Sequence, residues 1–200
     1  LVAEMTTLIA EAKDNLEENQ FTVGVGTTVY PQGIGLKDAF TRVDSVTNDT
    51  VAVADVLAVE AGLPIRHRMN AAWYLTRKAI RAIQAFETTG GQLFNGTVGY
   101  PAVGNPVNRP GGNTGLTLLG YPIWETPSMP WTPTTDDTTW GVLMDPRNYV
   151  IVDRVGLSVR VIPDLINSSA LATGQAAIYF SFRNTARVLN VDGGRQGAVQ

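Results

Sequence analysis

"FTVGVGTTVYPQGIG", residues 21–35, follows an amphipathic run and holds four glycines. Glycine-rich turns beside a helix cradle phosphates in nucleotide-binding α/β enzymes, so the reading of this stretch decides the fold class. A dinucleotide fingerprint requires G-x-G-x-x-G between a strand and the helix that follows it. Gly24 and Gly26 supply the first two glycines, but Val29 stands at the third position. A P-loop requires Gly-Lys followed by Ser or Thr, and the chain has no Gly-Lys pair. The order is also reversed. The helical pattern precedes the glycines, which places them at a helix C-terminus, whose partial negative charge repels phosphate. Gly24, Gly26 and the corner Pro31-Gln32-Gly33 therefore read as turn chemistry after a helix end.

Outward from this stretch the pattern is helices first and strands later. Upstream, Leu1, Met5, Leu8, Ile9, Ala12 and Leu16 recur at helical spacing, which predicts a half-buried helix with an acidic exposed face, ending near Gln20 or Phe21. The chain opens inside this helix with neither an initiator Met nor an N-cap, and is expected to be part of a longer protein. A second helix is predicted over 51–61, capped by Asn48, Asp49 or Thr50 and stopped by Gly62 before Pro64. A third is predicted over 70–86, with Asn70 as its N-cap. Ala72, Trp73, Leu75, Ala79, Ile80, Ala82, Ile83 and Phe86 form its apolar half, opposite Arg77, Lys78, Arg81 and Gln84.

From 88 to 139 Gly, Pro, Thr and Asn predict long loops around one strand at 116–125. Strands are then expected at 141–145, 149–154, 156–163 and 176–190. In the last of these Ile178, Phe180 and Phe182 alternate with Tyr179, Ser181 and Arg183. This order favours α+β over alternating α/β.

At 200 residues the chain has room for one large domain or two interleaved ones. Charged residues make up 16%, against roughly 25% in a typical soluble domain, which suggests surface covered by other copies. A net charge of −3 excludes a uniformly basic nucleic-acid binder, and the absence of cysteine excludes disulfides, thiol catalysis and cysteine-held zinc. No apolar run is long enough to span a membrane.

No catalytic, cofactor-binding or metal-binding residue emerges. The sole histidine, His67, lies between Arg66 and Arg68 and reads as an exposed turn residue. Asp136 and Asp137 stand in a solvated Thr-rich loop. Asp145 and Asp153 bracket "PRNYVIV" and are expected to anchor turns and to pair with Arg147 or Arg154. The basic set Arg66, Arg68, Arg77, Lys78 and Arg81 reads mainly as a solvated or paired face; any contact it made with phosphates would be sequence-blind.

Five segments, in order, resemble the major capsid protein of tailed bacteriophages, the Hong Kong phage-type fold. "NLEENQF" with "VGVGTTVYPQGI" is similar to the passage from the spine helix into the apical domain. "LPIRHRMNAAWYLTRKAIRAI" resembles an Arg-rich turn leading into an Asn-Ala-Ala-Trp helix. "LLGYPIWETPSMP" is similar to the family's Leu-Gly-Tyr-Pro strand and its proline turn. "MDPRNYVIVDRVGLSVRV" resembles the strand pair that leaves the apical domain.

The resemblance implies an α+β subunit without enzymatic activity or cofactor. Its spine-helix end would be 1–21, its apical domain 22–154, and 155–200 the return strands of the peripheral domain with a C-terminal tail. The loops at 97–115 and 127–139 would meet around local five-fold and six-fold axes. Partners would be other copies in pentamers and hexamers, together with scaffolding, portal and maturation protease proteins and non-specifically held packaged DNA. The location would be the virion capsid, and the host cytoplasm before assembly. The N-terminal arm and extended hairpin of the family have no counterpart here, and its Lys–Asn cross-link maps to no residue of this chain. Two alternatives stand beside this reading. One is an encapsulin-type shell around a cargo enzyme; the other is an unrelated β-rich module using Trp124, Trp131 and Trp140 as a ligand platform.

Overall fold

The computed structural model describes residues 2–37, 39–47, 50–85, 113–131, 138–162 and 176–198. Helix α1 (Val2–Val23) is followed by strand β1 (Thr41–Asp44), helix α2 (Val53–Gly62) and the four-residue helix α3 (Ile65–Arg68). Strand β2 (Ala72–Leu75), helix α4 (Arg77–Gln84) and the hairpin β3 (Asn113–Leu118) and β4 (Tyr121–Glu125) come next. The chain then runs through β5 (Thr139–Met144), the long ribbon β6 (Tyr149–Ile162) and β7 (Ala177–Val188), and ends in β8 (Gly194–Ala198).

Six strands form one mixed sheet in the order β1-β8-β5-β2-β4-β3, while β6 and β7 pair only with each other. The expected α+β class is found. The β1–β8 and β2–β4 pairs are parallel and the remainder antiparallel.

The predicted third helix divides into two elements. Residues 72–75 are the central strand β2, hydrogen-bonded to β4 on one side and β5 on the other. Its "AWYL" is three-quarters buried residues, as a strand covered on both faces requires, and so short an apolar run satisfies either periodicity. The N-cap is Thr76, not Asn70: its hydroxyl accepts the Ala79 N–H at 3.1 Å. Ala79, Ile80 and Ile83 are buried, and Arg77, Lys78 and Arg81 face solvent as expected. Thr76→Ala should cost about 1 kcal/mol, measurable as a lower urea midpoint with an unchanged m-value.

Helix α2 begins later than predicted. The Asp55 carboxylate accepts the backbone N–H groups of Ala52 (2.8 Å) and Val46 (3.0 Å), fixing the helix start. Of the expected caps, Asn48 and Asp49 lie outside the described residues. The single strand predicted at 116–125 is a hairpin. Leu119 and Gly120 both have positive φ (52° and 83°), the two-residue turn that matches strand twist. The strands predicted at 149–154 and 156–163 are one continuous β6, with register shifts around Val155. β1 and β8 had no counterpart among the predicted strands.

The domain boundary expected between 154 and 155 therefore falls inside β6. β8, from the segment expected to hold return strands and a tail, lies in the main sheet between β1 and β5. It fits there because Gly194 and Gly197 leave space for the side chains of Phe40, Met144 and Trp140.

Each face of the main sheet holds its own core. On one, Trp73, Leu75, Ile123, Trp140 and Leu143 pack with Val56, Val59 and Leu63 of α2 and Ala79, Ile80 and Ile83 of α4. On the other, Val142 and Met144 pack with Ile34, Ala39, Phe40, Met129 and Val188. Between Thr139 and Gly141 the β5–β8 register shifts by one residue. That bulge brings Trp140 onto the same face as Leu143, where it stacks on Trp73 with ring centroids 5.9 Å apart. Segments 86–112 and 132–137, which contain Phe86, Asp136, Asp137, most of the expected axial loop 97–115 and the middle of the expected axial loop 127–139, lie outside the described residues.

Candidate functional site

The glycine stretch is an elbow joining α1 to everything else. Gly24 N–H bonds to Gln20 O, Ile34 N–H to Phe21 O and Gly35 N–H to Thr22 O, at 2.8–2.9 Å, so the loop satisfies the last carbonyls of α1. Gly33 N–H bonds to Gly24 O (2.8 Å) and Gly26 N–H to Pro31 O (3.0 Å), closing the loop on itself. Gly26 takes φ +68°, a left-handed conformation that glycine adopts without penalty. These amides point inward and are occupied. The glycine amides therefore serve the turn, as expected, and not a phosphate.

Tyr149, at the root of β6, fastens the elbow from outside. Its hydroxyl lies 2.8 Å from Gln32 O and 3.2 Å from Phe21 O, and Gln32 Oε1 accepts the Val188 N–H. Burial raises the Tyr149 pKa. Because the folded pKa lies above the unfolded value of about 10, this stabilisation is complete below that value and is lost as pH rises through the folded pKa. Tyr149→Phe should lose roughly 1–1.5 kcal/mol at neutral pH, read as a shift in denaturation midpoint that is absent when Tyr179, an exposed tyrosine, is changed to Phe. Nothing in the sequence marks Tyr149 for this role, since its partners lie more than a hundred positions away.

α1 also makes polar contacts along its C-terminal half. Glu18 accepts from the backbone N–H and the hydroxyl of Ser128. Glu17 accepts from Asn184 of β7 and pairs with Lys13, whose ammonium lies 5.5 Å above the Phe182 ring. The hydrogen bond and charge of Glu17 raise the Lys13 pKa. The apolar stripe of α1 is more open than predicted: Leu8 is 63% and Leu16 49% exposed. With Met5, Ile9, Phe180 and Phe182 they line an open apolar trough between α1 and the ribbon.

The sequence-singled residues are consumed by structure. His67 lies in α3, not in an exposed turn. Its side chain is 12% exposed, with Nδ1 3.6 Å from Asp145 Oδ2 and Nε2 accepting from Arg66 Nε at 2.9 Å. Asp145 anchors a turn as expected, but through the Arg147 backbone N–H (3.1 Å) and not its guanidinium. Arg68 donates to Leu63 O and Ala61 O at the end of α2 and pairs with Glu60; Arg77 pairs with Glu125. The basic set is therefore largely engaged within the fold. Trp140 is fully buried, Trp131 is 7% exposed, and Trp124 is half-buried. A tryptophan platform is thus overturned, because two of its three rings are in or under the core. Among the described residues no group of three or more His, Cys, Asp or Glu side chains converges to hold a metal, and no helix is long and apolar enough to cross a membrane.

This arrangement matches solved shell proteins along its whole length. The capsid chain of a native GTA particle aligns with 100% of this chain and 65% of its own length, at 20% identity and TM-score 0.76. A chain of Mycobacterium phage Ogopogo aligns with 100% of this chain and 68% of its own, at 15% identity and TM-score 0.61. The SrpI encapsulin of Synechococcus elongatus PCC 7942 matches less well, with 97% and 63% coverage, 16% identity and TM-score 0.51. This chain spans just under two thirds of the length of the GTA capsid chain. No curated protein sequence matches it. At such identities the likeness establishes the Hong Kong phage-type fold. A model of the phage capsid family matches residues 1–193, and the chain belongs to that family.

Proposed function

We propose that this chain is the shell-building part of a major capsid protein, whose copies close into an icosahedral particle around a tailed-phage or prophage genome. The observation that carries the reading is the family match over 1–193. The trough between α1 and the ribbon supports it, because apolar side chains left open in one subunit suit coverage by neighbours. The main sheet with α2 and α4 would be the apical domain, and α1 with β6–β7 the peripheral one. The protein then works by geometry and not by catalysis. Each copy is held on several sides, so weak contacts sum to a stable shell. Pentamers and hexamers of this subunit would be its main assemblies. Scaffolding, portal and maturation protease proteins would meet it in the host cytoplasm, and the mature location would be the virion.

Negative-stain microscopy of the gene product carrying this chain tests the reading. Closed, thin-walled particles holding nuclease-resistant DNA are expected. Particles holding a protein cargo would support the encapsulin alternative, and a strictly monomeric product with its encoded scaffold supplied would overturn both.

A further inference from the structure

The β6–β7 ribbon has an outer face besides the one that holds α1. Phe180, Phe182 and Asn184 reach α1, so Tyr179, Thr185 and Arg187 point away from it. The register sets Arg160 opposite Tyr179, Val152 opposite Thr185 and Val150 opposite Arg187, on that same outer face. Val155 stands opposite Arg183. Arg183 reaches round the β7 edge, since it also lines a pocket with Leu16, Glu17 and Gln20; Glu17 is already held there by Lys13 and Asn184. The outer face thus carries an apolar row, Val150, Val152 and Val155, beside a row of exposed arginines. The three valines are between 37% and 52% exposed.

α1 carries the complementary pattern. Its exposed acids Glu4, Glu11 and Asp14 fall within about 80° of the helical wheel, with Leu8 and then Ala12 directly beside them. Asp14 lies 4.0 Å from Lys13, the one basic residue of the helix, so this side of α1 stays acidic. The rows also match in length. Glu4 and Asp14 are ten helical residues apart, roughly 15 Å. Arg183 and Arg187 are four strand residues apart, roughly 13 Å. An apolar row flanked by anions therefore fits an apolar row flanked by cations. Duplex DNA is the poorer complement, because its phosphates would meet the arginines and leave the valines uncovered.

We propose that the acidic side of α1 in one copy docks on the outer ribbon face of the next copy. This contact deepens the capsid reading and rests on it for the partner, a second copy of this chain. Its two surfaces are different parts of one chain, so the contact is heterologous and continues head to tail until a ring closes. Each α1 is then sandwiched between its own ribbon and its neighbour's. The charges fix direction and register more than strength, and the apolar rows supply the burial.

The chain has no cysteine, so disulfide trapping reads the contact directly. Copies carrying Glu11→Cys are mixed with copies carrying Arg187→Cys under mild oxidation. A linked dimer with one copy of each is expected, and Lys78→Cys in place of Arg187→Cys should give none. One chain carrying both Glu11→Cys and Arg187→Cys should give a ladder beyond the dimer. A product that stops at the dimer would overturn the head-to-tail arrangement. Charge reversal tests the complement. Changing Glu4, Glu11 and Asp14 together to Lys, or Arg183 and Arg187 together to Glu, should weaken self-association at least about tenfold in sedimentation without lowering Tm. An equal mixture of the two variants should recover it. Absent trapping with unchanged association in both variants would overturn the proposal. So would arginine variants that lose only duplex DNA binding, which would assign the face to nucleic acid. Microscopy of the gene product separates the two readings. Particles without the trapped contact sink this inference alone, whereas trapped copies that never form particles sink the capsid reading alone.

Discussion

Gly197→Ala should be among the most damaging single-methyl changes in the main sheet. A Cβ at Gly197 would lie 2.3 Å from Cε2 and Cζ2 of Trp140, far inside van der Waals contact. The indole cannot withdraw. It is fully buried, stacked on Trp73, and Trp73 is itself pinned by its Nε1–H bond to Leu118 O at 3.2 Å. β8 cannot withdraw either, because it is hydrogen-bonded to β1 on one side and β5 on the other. Overpacking of this kind costs about 3 kcal/mol, a fall in Tm of roughly 6–12 °C for a chain of this size. A double-mutant cycle identifies the cause. Trp140→Phe removes the clashing part of the ring, so the pair Gly197→Ala, Trp140→Phe should be less destabilised than the sum of the singles by at least 1 kcal/mol. Additive losses would show that the methyl meets something other than Trp140.

The same residues explain what could be read from the sequence and what could not. β8, "GRQGA", has no hydrophobic alternation, because its glycines make room for Trp140 and for Phe40, which would stand 2.7 Å from a Cβ at Gly194. Its burial comes from the size of its neighbours, some of them more than 150 positions away, and strand propensity carries no trace of that. Gln196 is similar. It is 1% exposed, and its amide donates to Gly35 O, Leu36 O and the Thr139 hydroxyl across the sheet. Trp73-Tyr74-Leu75 misleads in the opposite way, being followed by a true helix that extends its apolar spacing. The glycine elbow was legible because helix order and turn chemistry are local. The face alternation of β7 was legible as well. Its pairing was not, since the β6 register that sets Arg160 beside Tyr179 passes through irregularities around Val155 that no local pattern marks.

Gly33→Ala should have its largest effect on how α1 is held and not on the main sheet. The added Cβ would lie 2.5 Å from Thr22 O and 2.6 Å from both Thr22 C and Gly24 N. All three are backbone atoms, so no rotamer change relieves the contact, and the loop must open. Opening breaks the Gly33–Gly24 bond and loosens the Ile34 and Gly35 donors that satisfy Phe21 O and Thr22 O. Buried carbonyls without partners add to the steric term, for a total of about 3 kcal/mol or more. Hydrogen exchange provides the discriminating readout. Amides of 20–35 and the last turns of α1 should lose protection, while β2 and β5 keep theirs. Gly156→Ala is the control: nothing lies within 4 Å of its Cβ, and stability should change by less than about 0.5 kcal/mol. Uniform loss of protection in Gly33→Ala would mean that elbow and sheet unfold as one unit. Local loss would make the elbow the joint that sets the angle of α1, and copies with that joint open should fail to close into particles even though each main sheet is intact.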